Sequence, residues 1–234
     1  MNKIFFLLTI FALLCFSAIN VNCQQAEGAL HEAVAVDNIE LVKQLLDKGA
    51  EVNKEFGPLK LTPLHCTVIH PSGPPINKAV EGKSAEIALL LIKHGANVNA
   101  KSKNGSTPLH LASYYGFKNL AEVLIQNGAD VKIKTDDLGM TPLHAASQRG
   151  HFEIAKLLLD KGAEINAKDK EGNTALHRAA VMQQYFNREL PLLLIQSGID
   201  INSKNNQGQT ALDIARLVKN ESMIELLENY KTKN

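Results

Sequence analysis

One short phrase of four residues recurs along this chain of 234 residues, with a period of about 33 residues. Each copy has threonine, then proline or alanine, leucine, and a histidine or aspartate: Thr62–His65, Thr107–His110, Thr141–His144, Thr174–His177 and Thr210–Asp213. A degraded sixth copy stands at Gly28–His31. Such a period is typical of a linear array in which each module packs only against its neighbours. An array offers a long surface rather than a deep pocket.

The residues around each phrase predict two helices. Threonine is a favoured N-cap, and proline suits the first helical position, where its missing N–H costs nothing. A second apolar run then ends at a glycine such as Gly95, Gly128 or Gly162, which suits the left-handed backbone that closes a helix. An extended segment and another glycine lead back to the next threonine.

These residues resemble the ankyrin repeat family, whose signature is the same phrase at a period of about 33 residues. The resemblance implies an all-α solenoid of stacked helix-turn-helix units with hairpin loops. We assign one repeat domain to residues 24–234, with six repeats at about 25–54, 59–100, 104–134, 138–167, 171–203 and 207–234. The resemblance also implies that the repeated histidine bonds the backbone of the adjoining hairpin: His31, His65, His110, His144 and His177.

Two features of repeat 2 depart from this pattern. An insertion around His70–Pro75 lies between its helices, and its prolines and glycine exclude helix there. The sequence Gly82–Ser84 is similar to the end of a phosphate-binding loop, but Asn77 stands where that motif needs glycine. We interpret it as the start of the second helix, with Ser84 near the cap.

The first 23 residues have the layout of a secretory signal peptide. Lys3 is their only charge, an apolar run follows over Ile4–Ile19, and cleavage is predicted after Cys23. The protein is therefore expected to be secreted or periplasmic, with no stable membrane insertion after cleavage. Two alternatives stay open: an uncleaved anchor, since the run falls just short of the about 17–25 residues of a membrane span, and a lipid-modified Cys23.

Net charge and cysteine content limit the classes of ligand and of covalent crosslink that the chain can have. Loss of residues 1–23 removes one of 25 basic residues and none of 24 acidic ones, so the remaining chain has no net charge. No global field would then attract nucleic acid or an anionic membrane. Cys66 remains alone and cannot form an intramolecular disulfide. Because Glu32 and Arg178 occupy the equivalent positions, we expect this position to be partly solvated, with either a reachable thiol or a small apolar filler.

No catalytic residue, metal or cofactor is expected. The repeated histidines lie one repeat apart, about 10 Å by the spacing of packed helices, which is too far to share a zinc ion with bonds of about 2 Å. His70, His94 and His151 fall at loop or helix-edge positions. Asn104 and Asn220 begin glycosylation motifs, which matter only in a eukaryotic secretory pathway.

The positions that vary between repeats are the hairpin tips and two residues near the end of each first helix. In the family that the chain resembles, such positions line the concave face and contact partner proteins. Carried onto this chain, the candidate partner-binding residues are Lys103, Asn104, Ser106, Leu138, Met140, Lys170, Glu171 and Asn173 at the tips, and Tyr114, Tyr115, Gln148, Arg149 and Met182 at the helices, where Val181 precedes Met182. Tyrosine and arginine are typical interface anchors. Leu138 and Met140 are expected to be exposed, unless they pack within the hairpin.

The sequence thus predicts an exported, monomeric protein that binds another protein without catalysis. The alternative is a periplasmic small-ligand or redox-responsive protein that uses Cys66 or the insertion in repeat 2.

Overall fold

The computed structural model describes residues 28–69, 78–181 and 188–231. Within these ranges the chain forms helices and turns, with one isolated β-bridge between Phe56 and Leu61 and no strand. The prediction of an all-α fold is confirmed. The chain divides into two compact units between Lys103 and Asn104. The predicted signal peptide and the insertion around His70–Pro75 lie outside the described residues.

The described part of the N-terminal unit contains two helix pairs. They are α1 (Ala29–Ala35), α2 (Ile39–Asp47), α3 (Pro63–Cys66) and α4 (Lys78–Lys93). The first helices α1 and α3 contact each other, and so do the second helices α2 and α4. Because α4 begins at Lys78, Ser84 lies well inside it and is fully buried, so its predicted place near the cap is wrong. Lysine, alanine and glutamate before Gly82 favour helix, and one glycine costs only about 1 kcal/mol.

The C-terminal unit contains four helix pairs in the described residues. They are α5 (Pro108–Tyr115), α6 (Lys118–Gln126), α7 (Pro142–Arg149), α8 (Phe152–Asp160), α9 (Ala175–Ala180), α10 (Glu189–Gln196), α11 (Ala211–Leu217) and α12 (Glu221–Lys231). The first helices α5, α7, α9 and α11 contact one another in chain order. The leucine of every phrase is buried, as predicted: Leu64, Leu109, Leu143, Leu176 and Leu212.

Three of the repeated histidines, His110, His144 and His177, form hydrogen bonds through both ring nitrogens. In four repeats the histidine Nδ1 lies 3.2 Å from the backbone nitrogen of the threonine three residues earlier, as in His144 and Thr141. An N–H can only donate, so Nδ1 accepts and the proton is on Nε2. The histidine therefore closes a capping box with its own helix, a role usually taken by Glu or Gln, which the sequence reasoning missed.

The other nitrogen joins neighbouring repeats. In the C-terminal unit Nε2 donates to the next hairpin's backbone carbonyl at 3.0–3.1 Å: His110 to Met140, His144 to Asn173 and His177 to Gln209. In the N-terminal unit, His31 Nε2 lies 2.9 Å from the Lys54 carbonyl and 3.1 Å from that of Leu61. The predicted bracing of one repeat by the histidine of another is confirmed for these four residues.

The tips of successive hairpins are also joined through their backbones. The N–H of Asp136 donates to the carbonyl of Asn104 at 2.8 Å, that of Lys170 to Leu138 at 2.9 Å, and that of Asn206 to Glu171 at 2.9 Å. Glycine makes this approach feasible. A Cβ added at Gly172 would lie 2.5 Å from Asn206 Oδ1 and 2.8 Å from its backbone nitrogen.

The variant Gly172→Ala should therefore lose more stability than Gly162→Ala. Both glycines have positive φ, +78° and +85°, so both alanines carry the same backbone cost of about 1–2 kcal/mol. Only Gly172→Ala also collides with the next tip, since no atom lies within 4 Å of a Cβ at Gly162. Urea unfolding should show an extra loss of about 1–3 kcal/mol for Gly172→Ala. Equal losses would contradict the close packing of the tips.

Stability should fall on acidification because the histidines are buried as neutral rings. Burial lowers the pKa of His31, His144 and His177, that of His144 to about 4 from an ordinary 6.5. The unfolded chain therefore binds more protons, so the stabilisation is complete above about pH 6.5 and is lost as the pH falls towards 4. Urea midpoints from pH 7.5 to 4 should drop less for His144→Gln than for the natural chain. The exposed His94, changed to Gln, serves as the control, and an unchanged pH dependence in His144→Gln would refute the argument.

Candidate partner-binding surface

Three predicted anchors come together at the ends of α5 and α7. The rings of Tyr114 and Tyr115 meet edge to face, with centroids 5.1 Å apart and an interplanar angle of 88°. The guanidinium carbon of Arg149 lies 5.0 Å from the centroid of Tyr114, within the range of a cation–π interaction. All three side chains are half-buried. We call this group the Tyr–Arg cluster.

A histidine of the following helix fixes the backbone of the Tyr–Arg cluster. His151 is the N-cap residue of α8, and its Nε2 donates to the carbonyl of Tyr114 at 3.0 Å. Its ring packs on Gly116, where an added Cβ would lie 2.6 Å from it. Burial and, to a smaller extent, the nearby Arg149 charge lower the pKa of His151 and keep it neutral. The sequence analysis gave this residue no role, because no repeated phrase contains it.

The hairpin tips contribute a second set of exposed side chains. Leu138 is 37% exposed, and Lys170 and Glu171 are exposed on the next tip. Asn104 is half-buried, and its Nδ2 lies 3.4 Å from Asp137 Oδ2. Lys103 is exposed and belongs to the N-terminal unit, where its N–H donates to the Leu59 carbonyl at 2.9 Å.

Four other candidates are buried: Ser106, Met140, Gln148 and Asn173. The expected exposure of Met140 is wrong, since only 7% of it is accessible. Its N–H donates to Thr135 Oγ1 at 3.0 Å while its carbonyl accepts from His110, so the hairpin bonds fix it facing inward. Met182 lies outside the described residues.

Leu217 is an exposed residue that the sequence analysis did not select. It is the most exposed large hydrophobic side chain of the described residues, at 72%. It stands seven residues after Thr210, as Tyr114 stands after Thr107 and Val181 after Thr174. The sequence signal for Leu217 is therefore its position in the repeat, which is the same as that of Tyr114.

A buried ion pair joins the hairpin that leads into the fifth repeat to the first helix of that repeat. Asp169 Oδ2 accepts from Arg178 Nε at 2.8 Å and from a second nitrogen of the same guanidinium. Its Oδ1 accepts the N–H groups of Glu171 and Asn173, both at 2.9 Å. Arg178 also contacts the Glu171 carboxylate at 3.1 Å. This pair was not predicted from the sequence, and it fixes the hairpin rather than presenting charge to a partner.

Two further sequence features prove to be structural. Cys66 is 4% exposed, so the expected partial solvation is wrong at this residue, and of the two roles left open the small apolar filler fits. At the equivalent positions Glu32, in the outermost described repeat, is exposed and Leu111 is half-buried. Asn220 is buried, with Nδ2 donating to the Ala180 carbonyl at 3.2 Å and Oδ1 accepting from Met223 at 3.1 Å. Neither side chain is placed for chemistry at the surface.

The described ranges contain neither a cluster of metal ligands nor a membrane-spanning helix. Within them, no group of three or more histidine, cysteine, aspartate or glutamate side chains is arranged to hold a metal ion. No helix in the same ranges combines the length and apolar character that crossing a bilayer demands.

Comparisons with known proteins identify similar sequences. A family model for ankyrin repeats in three copies matches residues 70–135 and 133–205, and a single ankyrin repeat model matches 28–55.

The ankyrin repeat protein FPV230 of fowlpox virus is 35% identical over 126 residues, covering 44% of this chain and 66% of the relative. The B-cell lymphoma 3 protein homolog of Mus musculus is 34% identical over 119 residues, covering 50% and 24%. Protein phosphatase 1 regulatory subunit 27 of Mus musculus is 40% identical over 70 residues, covering 30% and 46%. The chain thus spans no more than two thirds of each relative.

Removing Arg178 should be costly because Asp169 would stay buried without its partner. Breaking a buried pair from one side costs about 3–5 kcal/mol. We expect Arg178→Leu to lose about that amount in urea unfolding, and Asp169→Asn added to it to restore part of the loss. Arg216→Leu, which breaks the exposed pair with Glu228, is the control and should cost at most about 1 kcal/mol. Similar losses in Arg178→Leu and Arg216→Leu would show that the pair contributes little.

Proposed function

Because this chain belongs to the ankyrin repeat family, we propose that it binds a partner protein through its hairpin tips and first-helix ends and has no catalytic activity. Family models match more than half of its residues, and ankyrin repeats typically mediate protein binding. One relative is named as a regulatory subunit of a protein phosphatase. The surface is the one that lines the concave face in this family.

The observation that carries the proposal is the Tyr–Arg cluster. Aromatic and arginine side chains supply most hot spots in protein interfaces. Tyr114 and Tyr115 remain half-accessible, and Arg149 is held over the ring of Tyr114. His151 fixes the backbone beneath, so little conformational entropy would be lost on binding. Leu138, on a hairpin tip, and Leu217, at the end of α11, are further exposed apolar side chains of the same unit.

We further propose that the protein has six repeats and is exported. Residues 1–23 would act as a signal peptide cleaved after Cys23, and the protein would then be secreted or periplasmic. The single charge at Lys3 and the apolar run after it support this. Sequencing of the protein purified from its native compartment should give Gln24 as the first residue. Recovery of chains that still begin at Met1 would contradict cleavage.

The alternative of a redox-responsive protein requires an accessible thiol at Cys66, and that thiol is buried. The other part of that alternative, the insertion in repeat 2, lies outside the described residues.

Partner binding is tested by replacing the Tyr–Arg cluster. The triple variant Tyr114→Ala, Tyr115→Ala, Arg149→Ala should capture at least about ten-fold less partner in crosslinking and affinity capture from the native compartment. Its helical content, measured by circular dichroism, should be unchanged.

The controls separate binding from folding. A second triple variant, Glu153→Ala, Lys156→Ala, Lys161→Ala, changes exposed residues of α8 and its following turn, and should capture partner normally. Arg149→Glu alone keeps both tyrosines, so it still tests the surface if the first triple variant unfolds. Undiminished capture by both cluster variants would refute the assignment.

A further inference from the structure

The positions seven and eight residues after the threonine of each phrase lie at the ends of the first helices and form a row with up to two residues per repeat. In the fourth repeat the first of these positions holds Gln148, which is buried, so only Arg149 is counted there, and Met182 of the fifth repeat lies outside the described residues. We define the helix-end row as Tyr114, Tyr115, Arg149, Val181, Leu217 and Val218, all in the C-terminal unit. The helices that carry or precede these residues contact one another in chain order. Leu217 is exposed and the other five are half-buried. Apart from Arg149 the row consists of aromatic and aliphatic side chains, so it is suited to an apolar ligand surface.

The spacing of this row restricts what can lie along it. Packed helices stand about 8–10 Å apart, so a partner must present one side chain about every 10 Å on a single face. In an extended strand at about 3.3 Å per residue, the third residue reaches this distance but points to the opposite face. In an α-helix the seventh residue lies about 10.5 Å along on the same face. A polyproline II segment also fits, with every third residue about 9.3 Å apart.

The chemistry of the row separates the two conformations that fit. A polyproline II segment has no internal backbone hydrogen bonds, so its carbonyls need donors wherever it is buried. Val181, Leu217 and Val218 are aliphatic and supply none. An α-helix satisfies its own backbone and brings only side chains to such a surface. The second half of the row therefore favours a helix.

Charge at the helix ends indicates the polarity of the ligand. The charged residues in the last turns of α7 and α11 and in the turn after α11 are all basic: Arg149, Arg216 and Lys219. Arg216 already pairs with Glu228 at 2.6 Å. Arg149 lies within the row, one repeat from Tyr114. A carboxylate on the ligand would complement it, whereas a lysine or arginine there would be repelled.

We propose that the partner presents an amphipathic α-helix to the helix-end row. Its apolar residues recur every seven positions, and an acidic residue takes the position that faces Arg149. The row spans three intervals of about 10 Å, so a helix of about 22 residues covers it. This inference rests on the proposed function, protein binding by this surface, and adds the conformation and sequence pattern of the bound segment.

Synthetic peptides test the pattern on the full chain. One labelled 22-residue helical peptide, constrained by side-chain crosslinks on its polar face, carries Leu at positions 1, 15 and 22 and Glu at position 8. A second, with Leu at 1, 8 and 22 and Glu at 15, covers the opposite direction. Two comparison peptides have the same net charge. The first represents an extended strand and carries its Leu and Glu residues at every second position. The second represents a polyproline II segment and carries them at every third position of a proline-rich sequence. Fluorescence anisotropy should show one helical peptide binding at least about ten-fold more tightly than both comparison peptides. Stronger binding of either comparison peptide, or no ten-fold preference, overturns the proposal.

Variants of the protein locate the bound helix. Leu217→Asp should weaken the better helical peptide by at least about ten-fold, and Leu89→Asp, an exposed leucine of α4, should not weaken it. Arg149→Glu should invert the charge preference, so that a peptide with Lys in place of Glu binds it more tightly than the original. Circular dichroism verifies the fold of each variant. If Arg149→Glu leaves the preference unchanged, the predicted register is wrong.

The two proposals fail in different ways. Loss of partner capture in the Tyr–Arg cluster variants, together with tighter binding of a strand or proline-rich peptide, would keep protein binding and reject the helix. Normal capture by the cluster variants would reject the binding surface itself, whatever the peptides do.

Discussion

Stacking in this protein depends on a neutral imidazole that is shared between two repeats. In His144 the ring accepts an N–H from the start of its own helix and donates to the carbonyl of the next hairpin. Each bond contributes only about 1 kcal/mol, but losing a buried partner costs about 1–3 kcal/mol. A protonated ring has two donors and would lose the first bond. Asp213 occupies the histidine position in the last phrase and can replace only one of the two bonds. Its Oδ2 accepts from the backbone N–H of Thr210 at 2.9 Å, but the carboxylate has no proton to donate to a carbonyl.

The hairpin tips depend on this bracing and add a second constraint. Backbone bonds such as the one from Asn206 to Glu171 require neighbouring tips to approach closely, which Gly172 allows. The tips are thus tied down in their backbones while side chains such as Leu138 and Lys170 stay accessible. A ligand that binds there meets a surface that is already ordered, so most of its binding energy remains available for affinity.

Periodic features of the sequence could be predicted, and features that depend on a neighbouring repeat could not. The caps, the buried leucines and the hairpin bond of the histidines follow from local propensity or from the repeated phrase. The burial of Met140 depends on Thr135 and on a histidine of the preceding repeat, 30 residues away. The Asp169–Arg178 pair is local, with its members nine residues apart in the sequence, but it uses one position that holds a different residue type in every repeat, so comparison of the repeats did not reveal it. Variation between repeats therefore marked positions where the repeated scaffold does not require one residue type, but it did not tell exposed positions from buried ones.

Because the scaffold uses backbone carbonyls, helix caps and small residues, its bonds make few demands on the ends of the first helices. Tyr114, Gln148, Val181 and Leu217 occupy the same register with different side chains, and the first helices that carry or precede them contact one another in chain order all the same. Recognition and stability are consequently carried by different atoms of the same helices. The exception is Arg178, where a variable position is used for internal bonding and is lost to the surface. A repeat can bind a ligand at such a position only if its neighbours do not already use the side chain, and in the C-terminal unit the helix-end row meets that condition most clearly at Leu217.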